Sequence, residues 1–122
     1  MLKGEVMSFE RMTDKEILEI ASPIMDNLMD ASTHIDHAKH VQDFTDRLRN
    51  IVTSDYLKYV CRQYQSEKGY FSNRTPVAVF KRPDSAAIVW KQSFTKAHGE
   101  FVAEMVLVNI NGRYLVDHAM VF

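Results

Sequence analysis

The sequence has few of the residues that constrain or interrupt a chain. Cys61 is its only cysteine, so no disulfide can form within the chain. With 4 glycines and 3 prolines in 122 residues it has no flexible linker, and we expect a single domain over residues 1–122. No apolar run approaches the roughly 20 residues that span a membrane, and the N-terminus lacks the apolar stretch of a signal peptide. These absences predict a cytoplasmic protein that does not enter a membrane.

Charge and motifs exclude several functional classes. The net charge is −1, with 15 basic and 16 acidic residues scattered along the chain. This balance argues against a nucleic-acid partner or an anionic membrane surface. The sequence has no glycine-rich phosphate loop, no nucleophile elbow and no HExxH metal motif. We therefore expect no cofactor. The 46% hydrophobic content is that of a globular protein with an ordinary core.

The spacing of apolar residues changes once, near Gly69. Before it, apolar residues recur at helical spacing, and after it they alternate as in strands. Thr13 and Glu16 form a Thr-x-x-Glu capping box, which predicts the start of a first helix. Pro23 lies inside that helical pattern, and we expect it to kink or limit the helix.

Two further helices are expected before the change of spacing. The second is predicted to begin near Ser32 or Thr33 and to continue with a buried stripe of Val41, Phe44, Leu48 and Ile51. The third is predicted to start at Thr53 or Ser54 and to end at Gly69, because glycine is favoured just beyond a helix end.

The second half of the chain predicts an antiparallel sheet. A short strand is expected over residues 75–81, followed by strands over 86–95, 101–110 and 113–122. Asn111-Gly112 joins the last two as a type I′ turn, because both residues tolerate positive φ. Helices followed by such strands predict an α+β fold, with N-terminal helices packed on the concave face of a bent, roughly four-stranded antiparallel sheet.

The Asn-Gly turn also fixes which residues should face each other. Counted outward from it, Met105 lies opposite His118, and Trp90 on the preceding strand falls in the same row. We expect this face to point at the helices and to line an apolar cavity. The predicted cavity residues are Trp90, Phe94, Met105, Tyr114 and His118.

His118 is the candidate catalytic residue, because an imidazole can act as a general acid or base near neutral pH. The alternative is a core histidine whose ring nitrogens are satisfied by a carbonyl or a tyrosine hydroxyl. No carboxylate partner is identifiable on the same face. The sequence leaves open whether the protein is an enzyme.

The opposite face of the predicted sheet is also apolar. A sheet face in contact with water normally carries polar residues, so this face predicts an interface between two copies of the chain. The alternative is that the first strand or the N-terminal residues 1–12 fold over it. The predicted homodimer interface comprises Val89, Lys91, Val102, Glu104, Val106, Val108, Leu115, Asp117 and Val121.

Other polar side chains have simpler explanations than a functional role. His34 and His37 lie one helical turn apart and with His118 would make three metal ligands, but we expect no metal site. Asp30 and Asp36 are candidate bases that are more simply explained as solvated or capping residues. Cys61 falls on a predicted buried helix face, where no positive neighbour would make its thiol reactive.

Residues 36–71 (DHAKHVQDFTDRLRNIVTSDYLKYVCRQYQSEKGYF) and 102–122 (VAEMVLVNINGRYLVDHAMVF) resemble the nuclear transport factor 2-like superfamily, whose members have a cystatin-like α+β fold. The resemblance implies a cone-shaped cavity between helices and sheet, and dimers formed through the sheet. Within the superfamily, the sequence resembles small uncharacterised bacterial members, and the resembling segments contain no signature motif.

Three functions agree with this resemblance. The first is a homodimeric domain that binds a small apolar ligand or a partner. The second is an isomerase, cyclase or dehydratase that uses His118 in the cavity. The third is a structural adaptor with a filled interior. Neither the paired tyrosine and acid of the isomerases nor the aspartate-arginine-aspartate set of the epoxide hydrolases is found here, and fold alone does not establish catalysis.

Overall fold

The computed structural model describes residues 8–122, and the N-terminal residues 1–7 lie outside the described part. Helices occupy the first half of the chain and strands the second, as the change of spacing near Gly69 predicts. A short 3-10 turn, Phe9–Arg11, precedes the helices. The helices are α1 (Asp14–His34), α2 (His37–His40), α3 (Asp46–Ile51) and α4 (Ser54–Lys68).

The starts of the two long helices are those expected from the sequence. Thr13 caps α1 with the complete capping box, in which its side chain accepts from Glu16 N and the Glu16 carboxylate accepts from Thr13 N. Thr53 caps α4 through its side chain alone, which accepts from Tyr56 N. α1 does not end at Pro23 but spans 21 residues, from Asp14 to His34, with the proline in its interior. Burial of the turns on both sides of the proline stabilises the continuous helix.

The predicted second helix is wrong in its extent, because the chain between α1 and α4 forms two short helices. Ile35 adopts a left-handed conformation with φ 52° and ends α1. Asp36 then caps α2 and Thr45 caps α3. Between them the backbone leaves the helical path: Val116 N donates to Asp43 O at 2.7 Å and Thr45 N donates to Val116 O at 2.9 Å. A contact with the distant sheet therefore divides this segment.

The four strands form one antiparallel sheet in sequence order, which confirms the α+β fold class. The first strand begins four residues earlier than expected, and the Asn111-Gly112 turn lies where predicted. The middle strands pair with Trp90 opposite Ala103 and Gln92 opposite Phe101. The strands are β1 (Phe71–Lys81), β2 (Ser85–Phe94), β3 (Phe101–Ile110) and β4 (Arg113–Val121).

A β-bulge in β4 changes which side chains face the helices. Leu107 still faces Val116, but the next pair is Val106 with His118, so one extra residue, Asp117, is accommodated in β4. The expected pairing of Met105 with His118 is therefore wrong. Met105 lies opposite Ala119 instead.

The core lies between α1 and the concave face of the sheet. Ile17 and Ala21 of α1 are fully buried against Ile88 and Met105 of the sheet. Phe9 covers one end of the core by an edge-to-face contact with Tyr114. None of the helices within residues 8–122 is long and apolar enough to cross a membrane.

Candidate functional site

A cavity of about 230 Å³ lies between α4 and the sheet. α4 contributes Leu57 and Cys61, which are buried but do not belong to the main core cluster. The space between α4 and the core is thus only partly filled by side chains. The other walls come from α1, the α2–α3 segment and the ends of the strands: Met25, Leu28, Met29, Ser32, His40, Phe44, Leu48, Val52, Phe71, Phe94, Phe101, Ala119 and Val121.

The cavity opens to solvent between α4 and the end of β4. Tyr56 and Val60 of α4 lie on one side of the opening, and Met120 and Phe122 on the other. All four are exposed, and Phe122 retains 58% of its accessible surface. Exposed apolar side chains at the mouth of an apolar cavity favour the passage of an apolar molecule.

Only one of the five predicted cavity residues, Phe94, lines this cavity. Trp90 and Met105 lie on the expected inner face, but they are 1% and 0% exposed and form part of the filled core. Tyr114 packs on Phe9 at the far end of the sheet. The sequence correctly placed Trp90, Met105 and Tyr114 on the inner face of the sheet. The position of the cavity depends instead on how α4 packs against the core.

His118 lies on the opposite face of the sheet from the cavity. The bulge at Asp117 rotates it outward, where its Nε2 lies 2.9 Å from Glu104 Oε1. It therefore does not line the cavity as expected, and the hypothesis that it acts there as an acid-base residue is wrong. Its carboxylate partner comes from the neighbouring strand, on the side that the sequence assigned to the dimer interface.

Three polar side chains from α1 and α4 meet at the cavity wall, and we call them the hydroxyl–thiol cluster. Ser32 Oγ lies 3.1 Å from Cys61 Sγ and 2.8 Å from Tyr64 Oη. Gln65 Nε2 donates to Tyr64 Oη at 3.4 Å and to two backbone carbonyls at the end of α1. The cluster fixes α4 against α1 and presents polar atoms to an otherwise apolar cavity.

All members of this cluster remain protonated near neutral pH. Burial raises the pKa of the Cys61 thiol, and hydrogen bonds with Ser32 and Tyr64 offset this only in part. Burial likewise raises the pKa of the Tyr64 hydroxyl above its ordinary value. Cys61 is therefore not an activated nucleophile, in agreement with the sequence analysis.

His40, which no sequence pattern singled out, lies in the cavity wall. Its Nδ1 is buried without a hydrogen-bond partner among residues 8–122, and its ring packs edge-on against Phe44 at 5.2 Å. Burial, together with the nearby His37, lowers the pKa of His40 to about 4. The imidazole is thus neutral at physiological pH.

The other polar candidates are held in separate local interactions. His34 Nδ1 bonds to Asp30 O, and His37 Nε2 bonds to Val52 O at 2.8 Å. Asp30 also pairs with Lys39, and Asp36 caps α2. Within the described part of the chain, no three His, Cys, Asp or Glu side chains are grouped so as to hold a metal ion.

The outer face of the sheet differs from its prediction mainly in β4. Val121 and Ala119 turn inward to the cavity, so Val121 leaves the predicted interface set. Met120 and Phe122 take its place on the outer side and are more than half exposed. Asp117 turns toward α3. The remaining residues of the predicted set lie on the outer face, as expected: Val89, Lys91, Val102, Glu104, Val106, Val108 and Leu115.

The charged groups of this face are paired within the chain. His118 pairs with Glu104, and Lys91 Nζ lies 2.7 Å from Glu100 Oε2. Asp117 accepts from Thr45 Oγ1 at 2.8 Å and from Arg47. Burial raises the pKa of the Asp117 carboxyl, but the hydrogen bonds from Thr45 and Arg47 lower it more, so the pKa lies below its ordinary value.

Two signals in the sequence could have located the cavity wall. Ser32 follows Leu28 at the four-residue spacing of the α1 stripe, so a hydroxyl falls on an apolar helix face. Cys61 and Tyr64 share the inner face of α4 with Leu57. His40 gave no such signal, because its position depends on the break between α2 and α3.

The chain is similar to solved structures over most of its length. An NTF2-like protein of unknown function from Methylobacillus flagellatus KT has a TM-score of 0.59 and 11% identity, covering 95% of this chain and 97% of that one. A second from Shewanella baltica OS155 has a TM-score of 0.56 and 8% identity, covering 92% and 97%. A chain whose name combines NTF2 with five substitutions has a TM-score of 0.63 and 13% identity, covering 89% and 100%. No protein-family model and no curated protein matches the sequence.

Proposed function

We infer that this chain, which has the NTF2-like fold and a cavity beneath α4, binds a small, largely apolar ligand and forms a homodimer. The observation that supports ligand binding is the cavity of about 230 Å³, bounded by apolar side chains and open at one end. Pockets for drug-sized ligands span about 300–1,000 Å³, so this volume favours a ligand of one or two rings. An adaptor with a filled interior is disfavoured by the same observation.

Titration with uncharged one-ring compounds tests the binding proposal. We expect backbone amide signals of the cavity walls to shift in ¹⁵N–¹H correlation spectra, with dissociation constants of about 1 mM or below. Val60→Trp should narrow the opening and weaken binding at least about tenfold, since an indole occupies the space through which the ligand passes. Lys58→Trp, on the solvent side of the same helix, is the matched control and should bind normally. A protein whose cavity amides stay unshifted at millimolar compound concentrations would contradict ligand binding.

The outer face of the sheet supports the homodimer. Its valines are left partly exposed by residues 8–122, and Phe80, Met120 and Phe122 are more than half exposed. The described parts of the two alternative covering segments lie elsewhere: β1 extends the sheet edge, and Phe9 and Met12 pack on the inner side. Residues 1–7 lie outside the described part. Because the charged groups of this face are already paired, burying it against a second copy leaves few charges unsatisfied.

Light scattering coupled to size exclusion tests this dimer. We expect a mass of two chains at micromolar concentration, and a mass of one chain for Val106→Asp, because the new carboxylate would be buried at the centre of the interface. The dimer dissociation constant should rise at least about tenfold. Gln63→Asp, on the exposed side of α4, should leave the mass unchanged. A wild-type protein that elutes with the mass of one chain would overturn the dimer proposal.

A further inference from the structure

Two residues belong both to the cavity opening and to the outer face of the sheet. Met120 lies opposite Glu104 on β3, and Phe122 exchanges two backbone hydrogen bonds of 2.7 Å and 2.9 Å with Val102. Because paired residues of neighbouring strands point to the same side, Met120 and Phe122 share the outer face with their β3 partners. The same two residues border the cavity opening. β4 is an edge strand of the sheet, so its last residues can contribute to both surfaces.

The opening is also apolar on its α4 side. Tyr56 and Met120, on opposite sides of the opening, are both more than half exposed, and Val60 beside Tyr56 is exposed as well. These side chains extend the apolar outer face of the sheet around the end of β4 to α4. An exposed apolar surface of this kind is typical of a protein interface.

The charges near the opening favour a second copy of the chain as the partner. The outer face carries both signs of charge, and they are already paired within the chain, as His118 with Glu104 and Lys91 with Glu100. A partner that is recognised by charge needs a patch of one sign, which this face does not offer. A symmetric dimer brings the same surface of two copies together, so a face with balanced, paired charges is suited to pack on itself.

We propose that the second copy, packed on the outer face, also covers part of the cavity opening, so that the ligand site is complete only in the dimer. The partner buries the exposed surface of Met120 and Phe122, adds apolar contacts to a bound ligand and excludes water from the opening. Ligand binding and dimerisation are then linked, and each favours the other. This inference rests on the proposed ligand-binding homodimer and adds a coupling between its two properties.

Ligand affinity in the dimer and in the monomer tests the coupling. Toluene and indole, uncharged compounds of one ring and two rings, are the probes. We expect Val106→Asp, the monomeric variant, to bind them about tenfold more weakly than the wild-type dimer does. Val106 lies on the outer face opposite His118 and does not line the cavity, so the substitution itself leaves the cavity wall intact. Gln63→Asp, which stays dimeric, should keep the wild-type affinity.

Dilution of the wild-type protein provides the same comparison without a substitution. Below its dimer dissociation constant, the protein should bind both probes with the affinity of Val106→Asp. Because each dimer carries two sites, saturating ligand should lower the dimer dissociation constant by about the square of the tenfold factor, about a hundredfold. Sedimentation velocity with and without ligand measures this change. Amide correlation spectra verify that Val106→Asp is folded, and the dilution experiment remains decisive should it not fold.

Contacts between the two chains at the opening provide a second readout. In dimers mixed from ¹³C-labelled and unlabelled chains, isotope-filtered NOE spectra detect only contacts between chains. The methyl groups of Val60, on the α4 side of the opening, should show cross-peaks to the unlabelled partner. The methyl groups of Ile17, which is fully buried in the core, are the control and should show none.

Two results would overturn the inference while leaving ligand binding and dimerisation intact. One is equal or tighter ligand binding by the monomer. The other is the absence of any contact between the Val60 methyl groups and the partner chain, which would mean that the second copy does not reach the opening. A wild-type protein that stays monomeric, or that binds neither toluene nor indole, would instead overturn the proposed function and the inference with it.

Discussion

Replacing Trp90 with alanine is expected to lower the free energy of unfolding by about 3–5 kcal/mol, the range for removal of a buried aromatic side chain. Trp90 is 1% exposed and lies opposite Ala103 on β3, too small a residue to fill the space that would be left. The guanidinium of Arg74 lies 5.4 Å from the ring centre and would lose its aromatic partner. Urea unfolding followed by far-UV circular dichroism measures this loss.

Tyr59→Ala is the control for Trp90→Ala, because Tyr59 is 68% exposed on α4. Its effect should stay within about 0.5 kcal/mol, as is usual for surface substitutions. Trp90→Phe is a control in the ligand-binding assay. Because Trp90 does not line the cavity, this variant should keep the wild-type ligand affinity. A loss below about 1 kcal/mol for Trp90→Ala would mean that the core beneath this ring is not packed as described.

Gly69→Ala is expected to destabilise the protein by about 3 kcal/mol, through backbone strain and a steric clash together. Gly69 ends α4 with φ 83° and ψ −139°, a backbone conformation that residues other than glycine rarely adopt. A Cβ there would lie 2.2 Å from Thr95 Oγ1 and 3.2 Å from Lys96 N. Thr95 cannot move away without cost, because its hydroxyl accepts from Tyr70 N at 2.9 Å.

Gly99→Ala separates the two causes. Gly99 has φ 109°, but a Cβ there would meet nothing within 4 Å, so only backbone strain of about 1 kcal/mol is expected. Adding Thr95→Ala to Gly69→Ala should restore part of the lost stability, since it removes the atom in closest contact. Thermal unfolding of these three variants and of the wild-type protein provides the comparison. Equal losses for Gly69→Ala and Gly99→Ala would contradict the clash.

The parts of the fold that were predicted correctly depend on neighbours in sequence. Thr13 and Thr53 bond to backbone N–H groups three residues away, so their caps can be read without the tertiary structure. The Asn111-Gly112 turn is equally local. Alternation along β2 and β3 also identified their buried face, because successive side chains of a strand point to opposite sides.

The candidate site was predicted less well, since its residues are brought together by packing. Ser32 and Cys61 are 29 residues apart, and neither has a local motif that marks it as a cavity residue. His40 enters the wall because the segment between α1 and α4 breaks into two helices. The empty space lies where α4 stands away from the core, and no spacing in the sequence reports the distance between two packed elements.

By itself the sequence determined that helices precede a meander of strands, where the long helices begin, and that the last two strands turn at Asn111-Gly112. Only the tertiary structure decided which way the end of β4 faces. The bulge at Asp117 is stabilised by Thr45 and Arg47, residues at least 70 positions away, which bond to its carboxylate. One extra residue in a strand reverses the side of those that follow, because side chains alternate. His118 is thereby placed outside the cavity, and Val121 within it.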